Sequence, residues 1–385
     1  MSLTVNQVKS VLNHAIQNNR YLEKCGKKKN AYLIESMPGI GKTSLVQQVA
    51  EDLGLKFIKV SLSNIEQAGD ICGFPIREFQ RVDGSWENEK TIQYSSSKFP
   101  LNGNARTSYC PPSWVPDSNN GGAILCLDDF TRAPMHIMQA VMEIIDRQEY
   151  ISWKLPKDCH IFMTSNPVDT GDFHVTSLDS AQQTRYIKLK MEFNINEWAT
   201  WAEYVGVDSR CINFLLFNPE MISGHVNARL ATDYFNSISS ISDFSATDSL
   251  NLIQLIGEGS VGEEFSVNFA LFINNQLDKL PSPADIFSSI DSCVDKILLC
   301  TGSPDSSTYK QSVSSVISTR IINHCKKLSV DKKIDKKKHP QILIKLINSN
   351  VFNGDIAYNL IKTINQLTGF DAVLEDKNVL KIATR

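Results

Sequence analysis

At 385 residues, with 42% hydrophobic side chains, 21% charged ones and a net charge of -3, the chain has room for roughly two or three domains with cores of their own. That balance argues against a nucleic-acid coat protein, and the lack of any run of about 18 apolar residues argues against a membrane-spanning helix. The stretch Met1–Arg20 is polar, so secretion is not expected. Nine cysteines stand singly (Cys25, Cys72, Cys110, Cys126, Cys159, Cys211, Cys293, Cys300 and Cys325) and seven histidines show no ligand spacing. The expectation is reduced, buried thiols, no zinc site and a cytoplasmic protein. Abundant Asn, Ser and Lys point to an AT-rich genome, and for a viral protein the compartment is the host cytoplasm.

Residues 5–17 set Val5, Val8, Val11, Leu12 and Ile16 at helical spacing, and residues 20–30 are basic and contain glycine, as a connector does. Ala31–Glu35 is an apolar run that reads as a strand. It leads into Ser36-Met37-Pro38-Gly39-Ile40-Gly41-Lys42-Thr43, after which Ser44–Leu53 carries Leu45, Val46, Val49, Ala50 and Leu53 on one helical face. Strand, Gly-rich loop and helix together are the context of a nucleotide phosphate loop. The candidate nucleotide-binding residues are Ser36, Pro38, Gly39, Ile40, Gly41, Lys42, Thr43 and Ser44. Backbone N–H groups of such a turn, running into a helix N-terminus, wrap a polyphosphate. Lys42 reaches the β- and γ-phosphates and the Thr43 hydroxyl holds magnesium, so ATP and Mg2+ are the expected cofactors. The consensus begins with Gly where Ser36 stands, a place serine fits when φ stays negative.

Lys56–Val60 reads as a further strand. Residues 73–120 are rich in Gly, Pro, Ser and Asn with little period, an insert in which Ile76–Arg81 is expected to pair with Thr91–Ser95. Ala123–Leu127 is a strand of the buried type, and it ends in two carboxylates. Asp128 is the candidate to hold Mg2+ through water, because that ion is hard and keeps its hydration. Asp129 is the candidate to polarise the attacking water. Pro134–Gln148 reads as a helix with Met135, Met138, Met142 and Ile145 on one core-filling stripe. Ile161–Thr164 is a strand, and Tyr186–Met191 alternates Ile187, Leu189 and Met191 with Lys188 and Lys190, a strand half open to solvent. Strands separated by helices imply a mostly parallel sheet with ligands at the carboxyl ends of its strands.

Beyond residue 194 the pattern is helical. Asn196–Val205 places Trp198, Ala202 and Val205 on one face, Leu280-Pro281-Ser282-Pro283 marks a boundary, and 286–385 contains a basic tract from Lys326 to Lys345 with Lys332, Lys333, Lys336, Lys337 and Lys338. That tract reads as a solvated face, with nucleic acid or an acidic partner left open. Its lack of aromatics argues against base stacking.

Leu127-Asp128-Asp129-Phe130-Thr131-Arg132-Ala133-Pro134 resembles the second nucleotide motif of MoxR-type AAA+ ATPases. Gly69-Asp70-Ile71-Cys72-Gly73 resembles their Asp-Leu-x-Gly turn. Pro111-Pro112-Ser113-Trp114-Val115-Pro116, with Trp198 and Trp201, resembles elements of members paired with von Willebrand A domain proteins. The resemblance spans about residues 5–235. It implies an α/β P-loop AAA+ core with a parallel sheet over 1–194, carrying the insert at about 73–120. A helical lid over 195–280 follows, then a helical region of unassigned role over 281–385. Thr164-Ser165-Asn166-Pro167 resembles the sensor-1 motif, which makes Asn166 the residue that orients the lytic water or touches the γ-phosphate. Gln183-Thr184-Arg185-Tyr186 resembles the arginine-finger element, so Arg185 is expected to reach the nucleotide of a neighbouring subunit. Val226-Asn227-Ala228-Arg229 resembles sensor 2, with Arg229 on the γ-phosphate and Ala228 where proline is usual. Arg132 is a further candidate for the adjoining subunit. The family places Glu where Asp129 stands. The shorter side chain sets its carboxylate back by about 1.5 Å, and a misplacement on the order of 1 Å can cost about a hundredfold in rate.

The function implied is an ATP-hydrolysing remodelling machine or chaperone-like factor. It works as a homo-oligomeric ring, most simply a hexamer, with a von Willebrand A domain protein as partner and no membrane. Two other readings stay open. One is a nucleic-acid-associated AAA+ ATPase of the clamp-loader or helicase kind, supported by the basic tract. The other is a slow-turnover, nucleotide-dependent scaffold, supported by Asp129.

Overall fold

The computed structural model describes residues 2–92, 99–116, 121–167, 180–223, 225–275 and 277–384. The chain divides into two compact units, Met1–Phe193 and Asn194–Arg385.

The first unit opens with helix α1 (Val5–Lys24). Its N-terminus is a capping box: the Thr4 side chain accepts from the Gln7 N–H and the Gln7 side chain accepts from the Thr4 N–H. The helix runs past residue 17 into the expected connector, because Glu23 near its end accepts from Lys29 Nζ (2.8 Å) and from the Asp158 N–H (3.0 Å). The chain continues through β1 (Ala31–Glu35), α2 (Lys42–Asp52), β2 (Lys56–Ser61) and a short α3 (Gly69–Cys72). An antiparallel excursion follows: β3 (Phe74–Arg81), β4 (Trp86–Asn88), α4 (Glu89–Ile92) and β5 (Leu101–Cys110). The main sheet resumes with β6 (Ala123–Asp128), then α5 (Met135–Arg147), a small hairpin of β7 (Glu149–Tyr150) and β8 (Trp153–Lys154), β9 (Cys159–Ser165), α6 (Ser180–Gln183) and β10 (Tyr186–Lys190).

Strands β10, β1, β9, β6 and β2 form one parallel sheet in that order. Both faces are covered, so every residue of β1, β6 and β9 is buried and these strands read as unbroken apolar runs. Alternate side chains separate the faces. Tyr32, Ile34, Ile124, Cys126 and Phe162 pack with Leu12 and Ile16 of α1 and Val46 and Val49 of α2. Ala31, Leu33, Leu125, Leu127 and Met163 pack with Ile137, Val141 and Ile145 of α5. Met138 and Met142 join that core, but Met135 is 46% exposed. It is the first residue of α5, and helical side chains lean toward the N-terminus, so it projects past the helix end instead of onto the stripe. Leu53, at the C-cap of α2, is likewise exposed.

The excursion corrects the expected hairpin. β3 pairs with β4 (Glu78 opposite Asn88) and with β5 (Phe74 opposite Cys110, Glu78 opposite Arg106). Thr91 and Ile92 lie in α4, and residues 93–95 fall outside those described. The turn that selects β4 is Asp83-Gly84: Gly84 takes φ 86°, and the Asp83 carboxylate accepts from the Ser85 N–H (3.0 Å) and hydroxyl (2.6 Å). At the base, Gly73 has φ 85°, and a Cβ there would lie 1.9 Å from the Cys110 carbonyl oxygen, so only glycine lets β5 close on β3. The indole of Trp153 donates to the Cys72 carbonyl (2.8 Å), that of Trp114 to the Asp70 carbonyl (3.0 Å), and the two rings meet edge-on.

The second unit is helical: α7 (Ile195–Val205), α8 (Ser209–Phe217), α9 (Ala228–Ile238), α10 (Thr247–Ser260), α11 (Glu263–Asn274), α12 (Pro283–Ser288), α13 (Ile290–Thr301), α14 (Gln311–Val330), α15 (Lys338–Asn348), α16 (Gly354–Ile364) and α17 (Lys377–Ala383). Asn194, Asp208, Asn227, Ser282, Asn353 and Asp376 cap helix N-termini with their side chains. Phe214 meets Phe265, Phe269 and Phe272 in an aromatic core, while Ile317, Ile321, Leu343, Leu346, Leu360 and Phe370 belong to a second core. Trp198 and Ala202 are buried, but Val205, in the last turn of α7, is 52% exposed. The buried Arg320 of α14 donates to Glu203 (2.9 Å), Ser209 Oγ (2.6 Å) and Asn213 Oδ1 (2.9 Å). Removing one partner of such an ion pair would strand a buried charge, which ties α14 to α7 and α8. Lys332, Lys333, Lys336 and Lys337 of the basic tract stand exposed between α14 and α15, whereas Lys327 lies in α14, half-buried, and donates to the Glu203 carbonyl (2.8 Å). Among the described residues no helix is long and apolar enough to cross a membrane.

Candidate nucleotide site

Four neighbouring strands of the first unit, β1, β9, β6 and β2, end together. Glu35 of β1 is in register with Ser165 of β9, Leu127 of β6 with Met163 of β9, and Asp128 of β6 with Ser61 of β2. The loop after β1 bends over these ends. Its Ser36 N–H donates to the Ser165 carbonyl (3.3 Å), and Gly39 and Gly41 take φ 76° and 90°. Ser36 is buried and does not adopt a positive φ, so glycine is not required there. Gly41 is the N-cap of α2 and supplies no capping side chain. The first N–H groups of that helix, at Lys42, Thr43 and Ser44, therefore carry the partial positive charge that an anion seeks.

Lys42 is 8% exposed. Its ammonium donates to the Ser36 carbonyl (2.8 Å), the Met37 carbonyl (3.1 Å) and Asn166 Oδ1 (3.0 Å). Thr43 Oγ1 donates to Asp128 Oδ1 at 2.7 Å. Thr164 Oγ1 donates to the same oxygen, and Lys59 Nζ stands 2.8 Å from Asp128 Oδ2. Burial pushes the Asp128 carboxyl up, but the bonds from Lys59, Thr164 and Thr43 outweigh it and hold the group below the ordinary carboxylate range. Asp129 takes the left-handed conformation (φ 54°, ψ 40°), which aspartate tolerates better than most residues. Its side chain is partly exposed, with Arg132 Nη1 3.7 Å away.

Arg185 is exposed and immediately precedes β10. Tyr186 is in register with Ala31, so Arg185 lies at the amino edge of the sheet while the loop lies past the carboxyl end of β1. Five parallel residues span about 16 Å, so the chain does not bring Arg185 to its own loop. Arg229 belongs to the second unit. It is exposed in the first turn of α9, whose start is fixed by the Asn227 side chain accepting from the Leu230 N–H (3.0 Å). That cap does the work a proline at Ala228 would share.

Two residues of the site carried no sequence motif of their own. Thr164 appears only as the first letter of the sensor-1 segment, and Lys59 only as a polar residue in a strand. What marks both is register: each lies on a strand beside β6, within reach of Asp128. The donor set fits the expected cofactors. Thr43 and Asp128 offer hard oxygens of the kind Mg2+ prefers, and an uncapped helix start beside a buried lysine suits a polyphosphate.

The strand order, the loop after β1 and the paired strand-end acids define a P-loop core of the AAA+ kind. Residues 33–186 match the family model of the AAA domain (dynein-related subfamily). No curated protein matches the chain. Similar solved structures include the RuvB Holliday junction branch migration motor of Thermotoga maritima, at 12% identity over 74% of this chain and 78% of that one, TM-score 0.33. A lysine-to-arginine mutant of the same RuvB gives 12% over 74% and 75%, TM-score 0.37, and a threonine-to-valine mutant 13% over 74% and 75%, TM-score 0.34.

Proposed function

We propose that this chain binds MgATP at the loop 36–44 and hydrolyses it within a ring of its own copies, most simply a hexamer. The observation that carries this reading is the meeting of Thr43 with Asp128 and of Lys42 with Asn166 at three adjoining strand ends. The magnesium ion, when bound, would neutralise charge building between the β- and γ-phosphates. Lys42 gives up its contacts with the Ser36 and Met37 carbonyls for phosphate oxygens. Asp129 takes the proton of the attacking water and Asn166 orients that water. Arg185, remote from its own loop, serves the nucleotide of the next copy with its planar fork. Arg229 acts from the proposed lid, residues 195–280.

The work we assign is MoxR-type remodelling of a protein client, with a von Willebrand A domain protein as partner. The three-stranded excursion supports this: Val82, Phe99 and Leu101, 62, 49 and 44% exposed, lie at one end of the β3–β5 pair, where the Val82 N–H donates to the Pro100 carbonyl, and Phe74, 56% exposed, lies at the other. The deciding experiment is nucleotide retention and mass of the purified chain in magnesium buffer, with and without ATP. Retention with ATP-dependent assembly is expected; a monomer that holds no ATP overturns the reading. ATP turnover stimulated by DNA or RNA, with steep salt dependence, would replace the protein-client assignment by a nucleic-acid one. Replacing Asp129→Glu is expected to raise turnover; inactivity of both forms would favour the scaffold.

A further inference from the structure

Lys59 is a charge that the proposed reaction does not use. It lies on β2, at the edge of the sheet, opposite Cys126 of β6 and two residues before Ser61, which faces Asp128. Residues two apart on paired strands share a face, so Lys59 and Asp128 lie on the same side of the sheet. The lysine leans along the strand until Nζ is 2.8 Å from Oδ2. The other oxygen of that carboxylate takes the hydroxyls of Thr43 (2.7 Å) and Thr164 (2.5 Å). Both oxygens are engaged, and the one without a hydroxyl is engaged by a full positive charge.

A divalent ion held beside Thr43 depends on the charge and the lone pairs of Asp128. An ammonium on Oδ2 neutralises the first and occupies part of the second, and two cations crowded onto one carboxylate repel. The pair is not locked. The Lys59 side chain is 45% exposed while that of Asp128 is 12% exposed, so the lysine has solvent to turn into and the carboxylate does not.

We propose that Lys59 is a built-in competitor of the divalent cation: it holds Asp128 until magnesium arrives and sets the magnesium concentration at which nucleotide is retained. This rests on the MgATP reading of the site. An apparent affinity falls by the fraction of protein that is competent to bind, so a carboxylate held by Lys59 for about four-fifths of the time raises the magnesium requirement about fivefold.

The test uses the full chain and equilibrium dialysis of ATP against rising MgCl2. The proteins are wild type, Lys59→Met, which keeps the apolar stem, and Lys59→Arg, which keeps the charge. Thermal melting of each nucleotide-free protein in the same MgCl2 series reports the metal directly. Lys59→Met should reach half-retention at roughly one-fifth the magnesium of wild type, with the melting midpoint moving the same way, and Lys59→Arg should stay within about twofold of wild type. Equal or higher magnesium demand in Lys59→Met, with ATP still retained, overturns the competitor role. Wild type that retains no ATP at any magnesium overturns the nucleotide reading instead. A Lys59→Met chain that fails to fold leaves the comparison to Lys59→Gln, judged by the same two midpoints.

Discussion

Thr164 Oγ1 donates to Asp128 Oδ1 at 2.5 Å and accepts the Asp129 N–H at 3.1 Å. One hydroxyl on β9 thus fixes both acids at the end of β6. Replacing Thr164→Val keeps the shape, removes the donor and leaves a peptide N–H without its acceptor, which costs about 1–3 kcal/mol. Outer-shell partners of a metal site typically cost roughly 10–100-fold when lost, and that is the expected drop in ATP turnover. Retention of nucleotide should change far less, and Thr164→Ser should restore turnover. Steady-state phosphate release reads this out, and an unaltered rate in Thr164→Val would remove the hydroxyl from the site.

Lys42 is the only charge offered to a phosphate from within the loop 36–44. Its loss to alanine removes a charge-assisted contact of about 1.5–3 kcal/mol, so ATP affinity measured by calorimetry should weaken by at least roughly tenfold. The same change leaves the Ser36 and Met37 carbonyls without their donor, and the loop should become more susceptible to protease. Affinity equal to wild type would place the nucleotide elsewhere.

What could be read from the chain was what is local. The apolar runs at 31–35, 123–127 and 161–164 fall on β1, β6 and β9, because a strand covered on both faces announces itself by composition alone, and the alternation at 186–191 falls on β10, an edge strand open to solvent. The phosphate loop is equally local: strand, glycines and helix follow one another without a gap. The ion pair of Lys59 with Asp128 was not legible, since it needs the register of two strands far apart in the chain. The excursion failed for a related reason. Asp83-Gly84 is a good turn signal, but β5 is largely polar and its partner lies across a segment with no period. Met135 and Val205 stand exposed at the ends of their stripes because a helical period says nothing about where the covering core stops.

Arg185 at the amino edge of β10 predicts a test of trans action. Arg185→Ala should abolish most hydrolysis while leaving ATP binding intact, and Asp129→Asn should be inactive with its arginine in place. Mixing the two inactive proteins should restore activity, since an Arg185→Ala copy with an intact Asp129 can then sit beside a copy with an intact arginine. Titrating one variant into the other and following phosphate release measures it. No recovery in mixtures shown to co-assemble would exclude service between neighbours.

Gly73→Ala should loosen the excursion. The position combines φ 85° with a would-be Cβ 1.9 Å from the Cys110 carbonyl oxygen. A non-glycine residue held in that conformation costs on the order of 1–3 kcal/mol before the clash is relieved. A lower melting temperature and earlier proteolysis within β3–β5 are expected. The control is Gly259→Ala in α10, where nothing lies within 4 Å of the new atom and alanine favours the helix. Equal melting of Gly73→Ala and wild type would mean the base of the excursion opens freely.

His160 predicts how stability responds to acid. The ring is wholly buried in β9, with Nε2 2.9 Å from Asp158 Oδ1, and Arg20 Nε donates to the same carboxylate at 2.7 Å. Burial holds the imidazole below its ordinary value of 6.5, and the Asp158 contact offsets this only in part. As pH falls through 6.5 the unfolded chain takes up the proton before the folded one does, so the folded state loses stability on the acid side of that value. Asp158 acts in a lower window. Burial raises it, the bonds from Arg20 and His160 lower it further, and its contribution, present above the ordinary 3.8, is lost as pH drops through the depressed value. His324 and His339 in the second unit are also depressed by burial, so the readout is a difference. Urea midpoints of wild type and His160→Asn, compared from pH 7.5 to 5, should converge as the pH falls, because only wild type pays the His160 protonation penalty. Parallel curves across that range would show that the buried ring takes its proton as readily as a free one.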